Sequence, residues 1–595
     1  MDPQRKTGVG QFGFLMLIVA TGIVAGLGAV FFRALIGFIH NLLFLGQLSF
    51  TYDANAHTPP SAWGPLVILV PVVGAIGVSY LIKNYAPEAK GHGVPEVMDA
   101  IYYNRGIIRP IVAAIKALAS GLSIGSGGSV GREGPIIQIG ASFGSSIGQA
   151  LRLPEWQVLT LIAAGAGGGI AATFNTPVGG ILFAIELILV EVSMRTLVPV
   201  AIATAIASYI GRVAIGAYPS FVIPKLQARD FQPTDPSSLL AFLGLGLIVG
   251  LVSIVFIRVI YRAEDFFDER IGGSYYRKHL LGMFIVGILL YVLMAAFGHY
   301  YIEGVGYATV QDTLSGVFVN PSDIALLLLL LVLKLFATSI TLGSGASGGI
   351  FSPSLFVGAT LGASYAIILH AFFPALPSSV PAFAVVGMAS MVGSATGAAL
   401  TAVVMIFEMT LDYSVIIPLI LAVGASYGLR RLLSKDSIYT LKLVRRGHRI
   451  PRAMHTNLMY IKPASEVMST RFKIVPADTP CGDVAPMVPE WGDEPGLLLA
   501  ETEGRIIGFL PESFDPRNLS PAIAATSLGE HAKKNYIAVS KNISVLQVMD
   551  ILRTEKASVA LITDNPETST PDHIKGFLTR GILGSELIEN TEFFD

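Results

Sequence analysis

Four stretches of the chain, Phe12–Phe32, Gly64–Ile82, Leu239–Ile257 and Leu280–Phe297, run without a single charged side chain. A helix needs ~20 consecutive apolar residues to cross the hydrocarbon core of a bilayer, so each stretch is long enough to span. Only 14% of the 595 residues are charged and 52% are hydrophobic, whereas soluble domains carry about 25% charged residues. Most of the chain therefore cannot be a water-facing globule. The first run is too long for a cleavable signal, lacks a small-residue cleavage pattern and is followed by further spans.

The composition changes near residue 453, from Gly-rich and apolar to segments with Asp, Glu, Lys and Pro. This places a membrane domain at 1–452 and a cytosolic domain at 453–595. Arg430, Arg431, Lys435, Lys442, Arg445, Arg446, Arg449 and Arg452 follow the last apolar run, and Arg5 and Lys6 precede the first. By the positive-inside tendency, both ends of the membrane domain face the cytoplasm; the same charges also suit anionic headgroups. A net charge of −1 suggests no nucleic-acid partner. Cys481 is the single cysteine, which excludes an internal disulfide and any multi-cysteine metal site.

After residue 453 one small pattern occurs twice. Phe472–Val475 reads as a strand, Cys481–Val488 as a helix, and Gly496–Ala500 and Arg505–Leu510 as two strands. Tyr536–Val539, Val545–Arg553, Ser558–Ile562 and Ile574–Leu578 repeat that order, as a small α/β module would. With Val467-Met468-Ser469 opening the first unit (about 462–520) and Gly576-Phe577-Leu578-Thr579-Arg580 closing the second (about 527–592), the pair resembles tandem CBS domains. That resemblance implies adenine-nucleotide binding as the alternative to a structural or dimerising role, with an acid three positions after the closing Thr or Ser holding the ribose. Here that position is Ile582, and the first unit ends in Pro511-Glu512-Ser513-Phe514. The expectation is a structural or dimerising module, with no cofactor assigned.

The membrane half carries a repeat of its own. Gly125-Ser126-Gly127-Gly128-Ser129-Val130-Gly131-Arg132-Glu133-Gly134-Pro135 aligns without gaps on Gly343-Ser344-Gly345-Ala346-Ser347-Gly348-Gly349-Ile350-Phe351-Ser352-Pro353. The same register sets Lys116 on Lys334, Ala119 on Ala337 and Gly140-Ala141 on Gly358-Ala359; with a small shift, Phe183-Ala184-Ile185-Glu186 meets Met405-Ile406-Phe407-Glu408. Matched glycine-interrupted segments in two halves point to a transporter whose site lies between them. Glycine-rich backbone in lipid is costly unless it lines a cavity. Both loops end at a proline suited to the first turn of a helix, and Gly91-His92-Gly93-Val94-Pro95-Glu96 has the same build. Helix N-termini buried at mid-membrane present unpaired N–H groups and a positive dipole end, which is an anion site without a cationic side chain. A soluble nucleotide-binding loop would need a preceding strand and a ribose acid, and neither is present. No nucleophile–base pair or metal cluster appears, so no catalytic or metal site is assigned and no enzyme activity is expected.

Gly131-Arg132-Glu133-Gly134-Pro135, Gly349-Ile350-Phe351-Ser352-Pro353 and Gly91-His92-Gly93-Val94-Pro95-Glu96 resemble the three signature motifs of the CLC family of chloride channels and chloride/proton exchangers. Asp436-Ser437-Ile438-Tyr439 adds the late tyrosine motif. The resemblance implies an all-α multi-span membrane domain of two inverted repeats with broken helices, plus a cytosolic α/β tandem CBS domain. It also implies a homodimer in the lipid bilayer with one chloride pore per subunit, in the plasma (inner) membrane if the source is prokaryotic. In the family the glutamate matching Glu133 is the gate, and the tyrosine matching Tyr439 donates to the central chloride. The expected anion-binding set is His92, Gly131, Arg132, Gly134, Gly349, Ile350, Phe351 and Tyr439. The family usually has serine where this chain has His92, whose imidazole N–H either replaces that donor or turns away. Exchangers usually carry a second glutamate after the one matching Glu186; here it is Leu187, which cannot relay a proton. The sequence thus favours a glutamate-gated passive channel, with a chloride/proton exchanger using Glu133 as the external proton acceptor as the alternative. Lys116, Lys334, Glu186 and Glu408 are expected to tie the halves together by charge pairing. A cation transporter would need intramembrane acids arranged as a cation site, whereas these loops supply donors.

Overall fold

The charge-free runs are helices, as their length demands. In this computed structural model, which describes residues 9–189, 192–216, 221, 236–450, 462–488, 496–511, 514–566 and 570–589, nine helices are long and apolar enough to cross a membrane. They include Gln11–Leu45, Gly64–Asn84, Pro236–Arg270 and Tyr275–Phe297, which contain the four runs. Shorter apolar helices such as Ile111–Gly125 and Val380–Thr396 lie between them. The chain divides into two compact units, Met1–Met454 and His455–Asp595.

Inside the first unit the repeat is a repeat of packing. The helix Glu133–Ala150 lies against Glu155–Phe174, and Phe351–Phe372 lies against Val380–Thr396. Both crossings are set by glycine on glycine: a Cβ at Gly140 would sit 2.1 Å from the Gly165 carbonyl oxygen, and one at Gly358 would sit 2.3 Å from that of Gly387. Small residues let helix backbones approach closely where no hydrophobic force drives helices together in lipid.

The paired charges do join segments, by a different chemistry from the expected charge pairing. Lys116 Nζ donates to the carbonyls of Ala89 (3.0 Å) and Gly91 (2.8 Å), and Lys334 Nζ to those of Ile302 (3.1 Å) and Gly304 (2.9 Å). Each ammonium replaces water at carbonyls left over by a broken helix. Glu186 accepts from the N–H groups of Leu400 (3.0 Å) and Thr401 (2.7 Å), while Glu408 accepts from those of Val178 (3.0 Å) and Gly179 (2.7 Å). Each carboxylate thus caps the other half's short helix, Pro177–Phe183 or Ala399–Thr410, where the dipole end is positive.

Part of the basic cluster is also consumed internally. Arg430 is buried and its Nε donates to the Ser394 carbonyl (2.9 Å), Arg446 pairs with Glu96 (2.7 Å), and Arg445 pairs with Asp265. Arg5, Lys6 and Arg452 lie outside the described residues.

The second unit contains two three-stranded sheets of one design. In the first, β1 (Phe472–Pro476) runs parallel to β2 (Leu497–Thr502), and β2 antiparallel to β3 (Arg505–Phe509). In the second, β4 (Tyr536–Ser540), β5 (Val559–Thr563) and β6 (Ile574–Thr579) repeat the order and directions. The helix of the second copy, Val545–Thr554, has a capping box between Ser544 and Gln547. Its expected counterpart at Cys481–Val488 is instead two 3-10 turns, Cys481–Asp483 and Ala485–Met487, because Pro486 removes a donor and Gly482 weakens the helix. Ile582 packs against the cores of this unit. Glu512 and Ser513 lie outside the described residues.

Candidate anion site

Three glycine loops meet backbone to backbone. Gly131 and Gly349 each donate to the other's carbonyl (2.7 and 2.6 Å). Gly91 donates to Ala346 O (3.0 Å) and accepts from the Gly348 N–H (3.2 Å). This ladder fixes the helices Val94–Tyr103, Glu133–Ala150 and Phe351–Phe372 with their N-termini converging. The approach leaves no room for a side chain at Gly134, where a Cβ would lie 2.0 Å from the His92 carbonyl oxygen. Gly93, at φ +85°, turns the third loop.

The ladder revises two of the expected anion contacts. The amides of Gly131 and Gly349 are spent on each other, so these glycines anchor the loops. The next residues, Ile350 and Phe351, open their helix, and among the described residues their N–H groups donate to no backbone carbonyl. Tyr439 stands on Ile438–Arg445, a helix started by a capping box at Ser437. It is almost wholly buried, and its hydroxyl has no protein hydrogen-bond partner among the described residues.

Glu133 is fully buried at the first position of its helix. Its carboxylate accepts from the Tyr307 hydroxyl and from the backbone N–H of Ser352 (3.3 Å), and Ser352 Oγ lies 2.6 Å from both of its oxygens. A carboxylate from one repeat is therefore seated on the helix N-terminus of the other, where the dipole and free N–H groups favour negative charge. Tyr307 and Ser352 were not anticipated from sequence. Ser352 lies within the Gly349–Pro353 motif, opposite Gly134 in the repeat. Tyr307 follows Gly304-Val305-Gly306, which matches Gly91-His92-Gly93 once a short gap is allowed, and the carbonyls held by Lys334 and Lys116 fall in that same register.

His92 is buried and its Nδ1 has no hydrogen-bond partner among the described residues. Its ring meets the Tyr261 ring edge-on, 6.4 Å between centroids, and lines a cavity with Gly91, Glu264 and Lys442. Arg132 is directed elsewhere: its guanidinium lies over the Tyr307 ring, 5.1 Å from the centroid, and lines a separate cavity. Leu187 is buried in a wide helical turn, Ala184–Ile188, beside the capping Glu186.

The arrangement is a buried cluster of donors, helix N-termini and one carboxylate, suited to a small dehydrated anion. Residues 73–431 match the family described as voltage gated chloride channel. The chain is 31% identical over 382 residues to a ClcB-like chloride channel protein of Ralstonia nicotianae, covering 64% of this chain and 85% of that one. It is 30% identical over 438 residues to an H(+)/Cl(-) exchange transporter, ClcA, of Yersinia pseudotuberculosis, covering 72% and 87%. A solved slow cyanobacterial Cl-/H+ antiporter superposes with a TM-score of 0.62 at 25% identity, over 73% of this chain and 97% of that one. With the glycine loops, the glutamate and the helix arrangement all in place, the chain belongs to the CLC family of membrane anion transporters.

Proposed function

We propose that the chain exchanges chloride for protons, with Glu133 as both the gate and the external proton acceptor. The observation that carries this reading is the seating of the Glu133 carboxylate on Tyr307, Ser352 and the N-terminus of Phe351–Phe372. Ionised, it occupies a place suited to an anion; protonated, it loses its attraction for the donors and yields that place to chloride. Ile350 and Phe351 amides and the Tyr439 hydroxyl are the donors proposed to receive the ion. Names of relatives support exchange over the passive channel that Leu187 favoured: ClcA is named an exchange transporter and the cyanobacterial protein an antiporter. The channel remains the second reading, since Leu187 offers no inner proton acceptor and the adjacent Glu186 is committed to capping. A homodimer in the plasma (inner) membrane, with the C-terminal CBS pair in the cytoplasm, completes the proposal.

The test is Glu133→Ala in liposomes with chloride and pH recorded together. Chloride movement that continues while proton movement stops supports the assignment. Proton movement that persists undiminished in the variant refutes it.

A further inference from the structure

Two arginines line one cavity whose walls include none of the glycines of the backbone ladder. Arg33, from the helix Gln11–His40, and Arg132 line it with Ile36, Tyr52, Ile124 and Val305. Among the described residues, neither guanidinium has an ion pair within 4 Å or a side-chain hydrogen bond. Arg132 is only 7% exposed and its Nε is buried without a partner among the described residues. Asp53 stands within electrostatic range of Arg33, as does Arg132, and forms no contact pair with it. Buried cations are ordinarily paired, because an isolated charge in low dielectric is costly. Here two like charges line one space, walled in part by the flexible arginine side chains themselves.

We infer that this cavity is a second anion site, for a single halide-sized monovalent anion, separate from the donor cluster around Glu133. Its lining contains none of Ile350, Phe351 and Tyr439. Arginine is the weaker-hydrated of the two basic side chains, and a guanidinium pair holds a spherical ion without the bidentate fit that would trap it. Arg132 links the cavity to the gate twice: it precedes Glu133 in the chain, and it lies on the ring of Tyr307, whose hydroxyl holds the Glu133 carboxylate. This holds for a channel and an exchanger alike, so it stands apart from the proposed exchange.

The experiment is anomalous diffraction from crystals of the full chain with chloride replaced by saturating bromide. A bromide peak between Arg33 and Arg132 is expected, retained in Arg33→Lys and lost in Arg33→Gln. In liposomes, Arg33→Gln should raise the half-saturating chloride concentration on that face roughly tenfold, with Arg33→Lys near wild type. A wild-type cavity empty of bromide overturns the inference, whatever the donor cluster holds and whether or not the variants fold. A peak undiminished in Arg33→Gln overturns it equally.

Discussion

Replacing Tyr307 by Phe removes one oxygen and leaves a ring of nearly the same shape over which Arg132 still lies. The lost group donates to a fully buried carboxylate, and hydrogen bonds to charged groups contribute about 1.5–3 kcal/mol. Ser352 remains, with its hydroxyl 2.6 Å from both oxygens and its N–H at 3.3 Å, so the carboxylate is loosened and not released. If Glu133 and chloride compete for one place, 1.5–3 kcal/mol taken from the competitor raises apparent chloride affinity by roughly 10- to 150-fold. The ceiling is the affinity of Glu133→Ala, in which no competitor exists. Isothermal titration of chloride into purified protein measures this directly, and a double-mutant cycle isolates the coupling. In the Glu133→Ala background, Tyr307→Phe should have almost no effect. Equal effects in both backgrounds, or a fall in chloride affinity in Tyr307→Phe alone, would show that the hydroxyl acts on the ion itself and refute the competition.

Three further outcomes follow from other parts of the molecule. Glu408→Ala strands the N–H groups of Val178 and Gly179 at a helix start and should cost about 2–4 kcal/mol, read as an earlier thermal midpoint; Glu186→Ala should behave alike through Leu400 and Thr401. Burial pushes the Cys481 thiol up, so maleimide labelling at pH 8 should be far slower in the native protein than in denaturant, and equal rates would contradict its packing. Hydrogen bonds from Lys541, then Lys575, hold the Asp564 carboxyl below its usual value. A depressed folded value contributes stability above the unfolded pKa of 3.8 that is lost as pH falls through the folded value; Asp564→Asn should therefore flatten the acid limb of unfolding below about pH 4.

Much of this molecule was legible because its chemistry is periodic or repeated. Charge-free runs located four of the nine span-length helices among the described residues, and the glycine register found both halves of the ladder. The partners of the buried charges were not legible. Lys116 and Lys334 could be paired with each other's surroundings by alignment, but that each would hold two carbonyls depends on where broken helices stop. Glu186 and Glu408 were seen as equivalent, while their exchange of helix caps needs the crossing of two short helices. Tyr307 was missed because the ungapped register slips by a few residues between Gly91 and Gly304. The expected helix at Cys481–Val488 had its breaker, Pro486, in plain view, and the backbone forms two 3-10 turns there instead.

The central claim is that Glu133 couples chloride to protons, and the most direct test uses the unaltered protein. Purified wild-type protein in liposomes is given a chloride gradient with no initial pH difference, and external pH is followed. The account predicts proton movement uphill, opposite to chloride and in fixed ratio to it. Chloride that runs down its gradient while pH holds still would contradict exchange and return the chain to the passive channel.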